Sequence, residues 1–274
     1  QCDVGDPDDV RRLARTAVEE FGRIDTWVNN AGVGLFSRIL DTDVADDRRL
    51  FETNFWGIVN GSRLGVAYLK VAGGGALINL GSEVSDVSVP IQGMYASSKH
   101  AVMGFTDALR DEVLEAKLPI SVTLVKPAAI NTPFARHAKN NTDQDATLPS
   151  PVYAVDLVAD QILHAAVYGG RELYVGGGGR LMAFLGQHFP SATDWLMATV
   201  MPGQQLADRP ADHSNESLHE SRGFHQAEGD VNRDRHVQQV SFYNIARRNP
   251  LATAAIAAAG AVAVGVLLAG RDED

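Results

Sequence analysis

Cysteine is almost absent from this chain: Cys2 is the only one in 274 residues. A disulfide framework within the chain and a cysteine-rich zinc site are both excluded, and a lone thiol fits a reducing compartment. Basic residues are also scarce, with 24 Lys plus Arg against 34 Asp plus Glu and a net charge of −10. No basic cluster offsets that balance, so nucleic acid is not an expected partner. Residues 1–20 are broken up by Asp, Glu and Arg and hold no apolar stretch, so no secretory signal is expected there. An initiating Met is lacking too, and the sequence is expected to begin inside a longer one.

What is present suffices for a core. Hydrophobic residues make up 45% and charged residues 21%, an ordinary globular balance. The averages conceal a shift along the chain. Residues 1–176 alternate apolar runs with amphipathic stretches and form the expected catalytic domain, followed by an apolar helical extension over 177–202. Residues 203–246 are polar, with irregularly spaced His213, His219, His225 and His236. Such a segment buries too little to offset its ordering entropy and is expected to be a disordered linker, with no metal site. Residues 247–274 contain the apolar run Leu251–Gly270, long enough to span a bilayer at 1.5 Å per residue. Arg247 and Arg248 precede it and acidic residues follow, which would keep the body cytoplasmic and anchor it by its tail. The other reading of the tail is an Ala-rich helix docked on a partner.

Within the body, strand and helix signals alternate. Asp6-Pro7 starts a helix, and Thr26-Trp27-Val28 is a strand entering the small-residue turn Asn29-Asn30-Ala31-Gly32. Asp43 caps a long helix from Val44 to about Lys70. Ala76–Leu80 is a strand ending at Gly81-Ser82, a helix runs from about Met94 to Ala116, and Ile120–Val125 is a strand stopped at Pro127. Ser150-Pro151 is expected to open a helix to about Tyr168, with a last strand over Glu172–Val175. Strands separated by helices of this length imply a doubly wound α/β fold with a parallel sheet and ligands at the carboxyl ends of the strands.

Tyr95 and Lys99 are four apart on a predicted helix and share one face. A phenol titrating near 10 is a poor acid or base at neutral pH, and a nearby ammonium lowers it toward the working range. Ser82, on the adjacent strand end, can hold a substrate oxygen while the phenol exchanges a proton. This is the chemistry of a carbonyl–alcohol pair, and it calls for a hydride carrier.

These pieces resemble the short-chain dehydrogenase/reductase family: Asp3-Val4, the Asn-Asn-Ala-Gly turn, Asn54, Ser82, Tyr95-x-x-x-Lys99 and Pro127-x-x-Ile130-x-Thr132, in family order over residues 1–176. The resemblance implies a Rossmann-like fold and an oxidoreductase using NAD or NADP on a small alcohol or ketone, working as a homo-oligomer. Tyr95 would be the general acid/base and Ser82 would polarise the carbonyl. Lys99 would lower the Tyr95 pKa and bind the ribose, while Asn54 would hold a relay water. Asp3 and Val4 would contact the adenine. Asn30, Ala31 and Gly32 would lie beside the cofactor, with Pro127, Ile130 and Thr132 around the carboxamide.

Two positions depart from the family pattern. Ala128 stands where the family has Gly, and no Thr-Gly-x-x-x-Gly-x-Gly turn occurs anywhere. The glycine runs at 73–75 and 176–179 are not expected to replace it, so the first βαβ unit is expected to be lacking. The alternative function is a non-catalytic chain that keeps the site but binds no cofactor. Epimerases and dehydratases share Tyr-x-x-x-Lys, but the Ser82–Tyr95 spacing and Asn54 suit the dehydrogenases better. Val84, Val87, Val89, Ile91 and Met94 point to a hydrophobic substrate. The extension over 179–202 is left with three readings: roofing the site, pairing subunits or touching a membrane.

Overall fold

The computed structural model describes residues 1–221, 236–249, 251, 253 and 254. Its centre is a parallel sheet of four strands, β1 (Thr26–Asn29), β2 (Gly75–Leu80), β3 (Ile120–Pro127) and β4 (Glu172–Val175), adjacent in that order. Trp27 is opposite Leu77, Leu80 opposite Val125 and Pro127 opposite Val175, so the carboxyl ends of three strands are level.

Both faces of the sheet are covered, as apolar runs without an exposed side require. Leu77 and Val122 point to a core shared with α1 (Pro7–Phe21), α3 (Gly57–Val71) and α4 (Gly93–Glu115). Ile78, Leu80 and Val125 point the other way, to α5 (Val155–Tyr168). The switch between neighbours is the two-residue period of a strand. Helix α1 begins as expected: the Asp6 side chain accepts from Asp8 N–H at 2.9 Å, with Pro7 in the first turn.

The expected helix over 44–70 is continuous but not regular. It runs as α2 (Val44–Phe51), a widened π turn over Glu52–Trp56, and α3. Its glycines are sites of close packing rather than weak points. A Cβ on Gly65 would come within 2.8 Å of the Trp27 ring, and one on Gly61 would collide with the Asn29 amide. A second expectation is corrected at Ser150-Pro151, which does not open α5. Val152 and Tyr153 are extended, buried and paired with Val237 and Gln238, and the helix begins only at Val155.

The polar linker is corrected over its described parts. After α6 (Gly177–His188) and α7 (Pro190–Thr199), a short α8 (Met201–Gln205) leads into Leu206–Pro210, which pairs antiparallel with Gln144–Ala146. Leu218 is buried beside Leu35 and Leu50, and the Arg49 guanidinium donates to its carbonyl at 3.2 Å. His219 contacts the buried Asp46 at 2.7 Å, and Lys139 contacts the same carboxylate at 2.8 Å. Over the described part, Leu218 is buried, Leu206 and Val237 pack against the body and the backbone of 206–210 finds partners, which offsets the ordering entropy. Among the described residues, no helix is long and apolar enough to cross a membrane. The expected anchor lies almost wholly outside those residues. Helix α9 (Phe242–Arg248), just before it, packs on the body, with Asn244 donating to the Tyr174 carbonyl at 2.7 Å.

Candidate active site

The ends of β1, β2 and β3 and the first turns of α4 enclose a cavity of about 710 Å³. Ser82 follows β2 and caps the short turn Glu83–Ser85, its hydroxyl accepting from Val84 N–H at 3.3 Å. Tyr95 and Lys99 lie on α4, where Ala96, Lys99, Val102 and Thr106 form the buried stripe that fixes the helix against the sheet. The structure thus brings Ser82, Tyr95 and Lys99 to one cavity wall, with the Ser82 hydroxyl near enough to the Tyr95 phenol to favour its ionised form.

The electrostatics differ from the sequence expectation for this pair. Burial pushes the Tyr95 phenol up to about 12; the Ser82 hydrogen bond pulls it down and the nearby Glu83 raises it. Lys99 is itself lowered to about 8 by burial. Its Nζ donates to the Leu80 carbonyl at 2.9 Å and lies 5.7 Å from the Tyr95 ring centre.

Asn54 sits buried in the π turn, not on the cavity wall. Its amide donates to the Val33 carbonyl at 2.9 Å and to Ser98 Oγ at 3.3 Å, and its oxygen accepts from Val33 N–H at 2.8 Å. Both donors are used, and one acceptor position on the oxygen is left for a water.

Asn30, Gly32, Pro127, Ile130 and Thr132 line the same cavity as Tyr95 and Lys99. Val4 and Ala31 line a second cavity of about 560 Å³ along β1, and Asn30 lines both. Asp3 lies outside both walls, with one carboxylate oxygen on Gly5 N–H at 3.0 Å and the other on Arg49 at 2.9 Å. Val28 and Asn30 line both cavities, and a nicotinamide held in the first would lie beside Tyr95, Ile130 and Thr132. Tyr95, Lys99 and Thr132 would supply hydroxyl and ammonium groups there. One glycine run does lead from a strand into a helix, Gly176–Gly179 between β4 and α6, but the Glu83 side chain already lies against Gly179. It offers no open seat for a phosphate.

Several residues of this region escaped the sequence reading. Lys126 is fully buried between Asp86 at 2.9 Å and Glu172 at 3.0 Å, and Tyr174 donates to the same Asp86 at 2.9 Å. This tie holds the turn that starts at Ser82 against β3 and β4. A lysine closing the buried run Ile120–Val125 was the available signal.

Comparison with known proteins decides the family. Residues 1–143 match the model of the short chain dehydrogenases. The chain belongs to the short-chain dehydrogenase family. A Bacillus subtilis relative, the uncharacterized oxidoreductase YxnA, is 41% identical over 260 residues, covering 94% of this chain and 73% of that protein. The 11-beta-hydroxysteroid dehydrogenase A of Arachis hypogaea is 29% identical over 222 residues, 76% of this chain and 62% of that one. A 3-ketodihydrosphingosine reductase of Bacteroides thetaiotaomicron is 35% identical over 132 residues, about half of each chain. Among solved structures, a short chain dehydrogenase of Burkholderia cenocepacia in complex with NADP superposes with a TM-score of 0.62 at 28% identity, over 73% of this chain and 80% of that one. The parallel sheet with helices on both faces is the Rossmann-like fold of the short-chain dehydrogenases, and the cofactor of the family is NAD or NADP.

Proposed function

We propose that this chain interconverts a hydroxyl and a carbonyl on an apolar substrate, with Ser82, Tyr95 and Lys99 as the reacting site. The observation that carries this reading is the meeting of Ser82, Tyr95 and Lys99 on the wall of one large, mostly apolar cavity, with Lys99 one helical turn from Tyr95. NAD or NADP, when bound, supplies or takes up the hydride. Ser82 donates to the substrate oxygen. Tyr95, held near 12, keeps its proton at neutral pH and hands it to the oxygen as negative charge develops there. In the reverse direction the phenolate must form, and the two donors of Lys99 not used on Leu80 stabilise it and a ribose. Asn54 fixes the loop at Val33 and holds a relay water on its remaining acceptor position.

The apolar wall suits a lipophilic alcohol or ketone: Val84, Val87, Val158, Ile162, Leu181 and Met197 face the cavity. Two relatives are named for a hydroxysteroid and a ketodihydrosphingosine, both large apolar molecules. The test is oxidation of long-chain secondary alcohols by the full chain with NAD and NADP. Tyr95→Phe removes only the hydroxyl and is expected to lower kcat by roughly 10²–10⁴-fold, the range of general acid–base catalysis, with dinucleotide affinity little changed. Turnover within about tenfold of the unaltered chain would remove Tyr95 from this role.

A further inference from the structure

Glu83 follows Ser82 directly and lines the same cavity, yet the proton transfer gives it no task. Among the described residues its carboxylate has no hydrogen-bond or ion-pair partner. The cations nearby are engaged elsewhere. Lys99 donates to the Leu80 carbonyl, Lys126 is held by Asp86 and Glu172, and Arg180 lies over the Tyr174 ring at 5.3 Å. The side chain rests against the first turn of α6, where a Cβ on Gly179 would come within 2.7 Å of the Glu83 Cβ and 2.8 Å of its Oε2. Glycine at 179 is what makes room for the carboxylate. Even so, no N–H of that turn donates to it. Val84, Val87, Leu181 and Met182 line the same cavity. Burial there raises the carboxyl to about 7, so it is poised to gain from any donor that enters.

Glu83 is half-buried at the cavity wall, and a carboxyl partly stripped of water with no protein partner gains when a ligand brings the donor. We propose that Glu83 is a specificity-determining residue, binding an ammonium or hydroxyl group of the substrate close to the reacting carbon. The substrate class is then a long-chain amino alcohol or diol, or the matching ketone, rather than a plain hydrocarbon alcohol. This rests on the hydroxyl–carbonyl reading of Ser82 and Tyr95. It makes Glu83, beside Ser82, a polar point on a wall that is otherwise largely apolar.

The experiment uses four probes with the full chain: dodecanol with its hydroxyl on the second carbon, and the same molecule carrying an amine, a hydroxyl or a carboxylate on the first. Both kcat/KM with NADP or NAD and affinity by titration calorimetry without cofactor are measured. The unaltered chain is expected to favour the amine or hydroxyl probe over the plain alcohol by about tenfold or more, as one hydrogen bond to a charged group predicts, and to disfavour the carboxylate. Glu83→Gln should shrink that preference to within about threefold, and Glu83→Asp should restore part of it. No preference in the unaltered chain overturns the proposal even if Glu83→Gln fails to fold, and so does a preference that survives in Glu83→Gln. Discrimination in calorimetry without turnover upholds Glu83 and removes the oxidoreductase reading. Turnover without discrimination does the opposite.

Discussion

Gln92 and Gln205 meet side chain to side chain in the wall of the cavity. Gln92 Nε2 donates to Gln205 Oε1 at 2.7 Å, and Gln205 Nε2 donates to the Pro90 carbonyl at 2.8 Å. Both are buried, so α8 is fastened over the loop that leads into α4 and Tyr95. Gln205→Leu keeps the volume and leaves Gln92 Nε2 and the Pro90 carbonyl without this partner. The expected loss is about 1–3 kcal/mol of stability, the cost of buried polar groups left unpaired. It should be seen as a lower urea midpoint at unchanged slope. A midpoint equal to that of the unaltered chain would show that the contact contributes nothing net.

That fastening also marks where the sequence stopped being legible. Strands β1 to β4 could be read because short apolar runs bounded by Gly, Ser or Pro have few other interpretations. Tyr95 and Lys99 could be read because helical spacing is local. The segment after α7 could not. Gln205, Leu206 and Leu218 are too few and too irregularly spaced to give a period, and their partners, Pro90, Gln92 and Leu50, are far away in sequence. Ser150-Pro151 misled for a related reason, since a turn signal does not say whether helix or strand follows, and here Val152 finds a strand partner at Val237. Asp3 was legible as a motif residue, but its salt bridge to Arg49 depends on how α2 packs.

Lys126 carries a prediction of larger size. Its ammonium is fully enclosed and pairs with Asp86 and Glu172 at once. Lys126→Met fits the space but leaves the two carboxylates facing each other in a poorly solvated place. Breaking one partner of a buried ion pair costs about 3–5 kcal/mol, so a marked fall in the denaturation midpoint is expected. Adding Asp86→Asn to Lys126→Met should recover part of it. A double variant no more stable than Lys126→Met alone would show that the damage comes from lost packing, not from the uncompensated charges.

Lys99→Ala is expected to damage two measurements at once. The ammonium stands beside the Tyr95 ring and retains two donors for the cavity. Losing it should lower kcat and weaken NAD or NADP binding measured by calorimetry. Turnover falling with cofactor affinity intact would leave Lys99 as a proton-transfer partner only and remove the ribose contact.

The pH dependence of folding isolates Glu83. Its carboxyl rises from an ordinary 4.5 to about 7 in the folded chain because burial disfavours the charged form. Between those two values the folded state holds a proton that the unfolded state has released. Stability contributed by this group is therefore fully present below about pH 4.5 and lost as pH rises to about 7, above which it stays flat. Each tenfold difference in proton affinity between the two states is worth about 1.4 kcal/mol, so the change across the window is on the order of 3 kcal/mol. Lys99, lowered to about 8, acts only above that window and with the opposite sign, since stability it contributes grows as pH rises toward 10.5. His137 and His164, lowered from 6.5 by burial, act with the opposite sign in both proteins, so denaturation midpoints taken from pH 5 to 7.5 should drop for the unaltered chain relative to Glu83→Gln, which has no proton to release. Parallel curves for the two proteins would mean that the Glu83 carboxyl is solvated and ionised throughout, and that the cavity wall beside Ser82 is wetter than its residues imply.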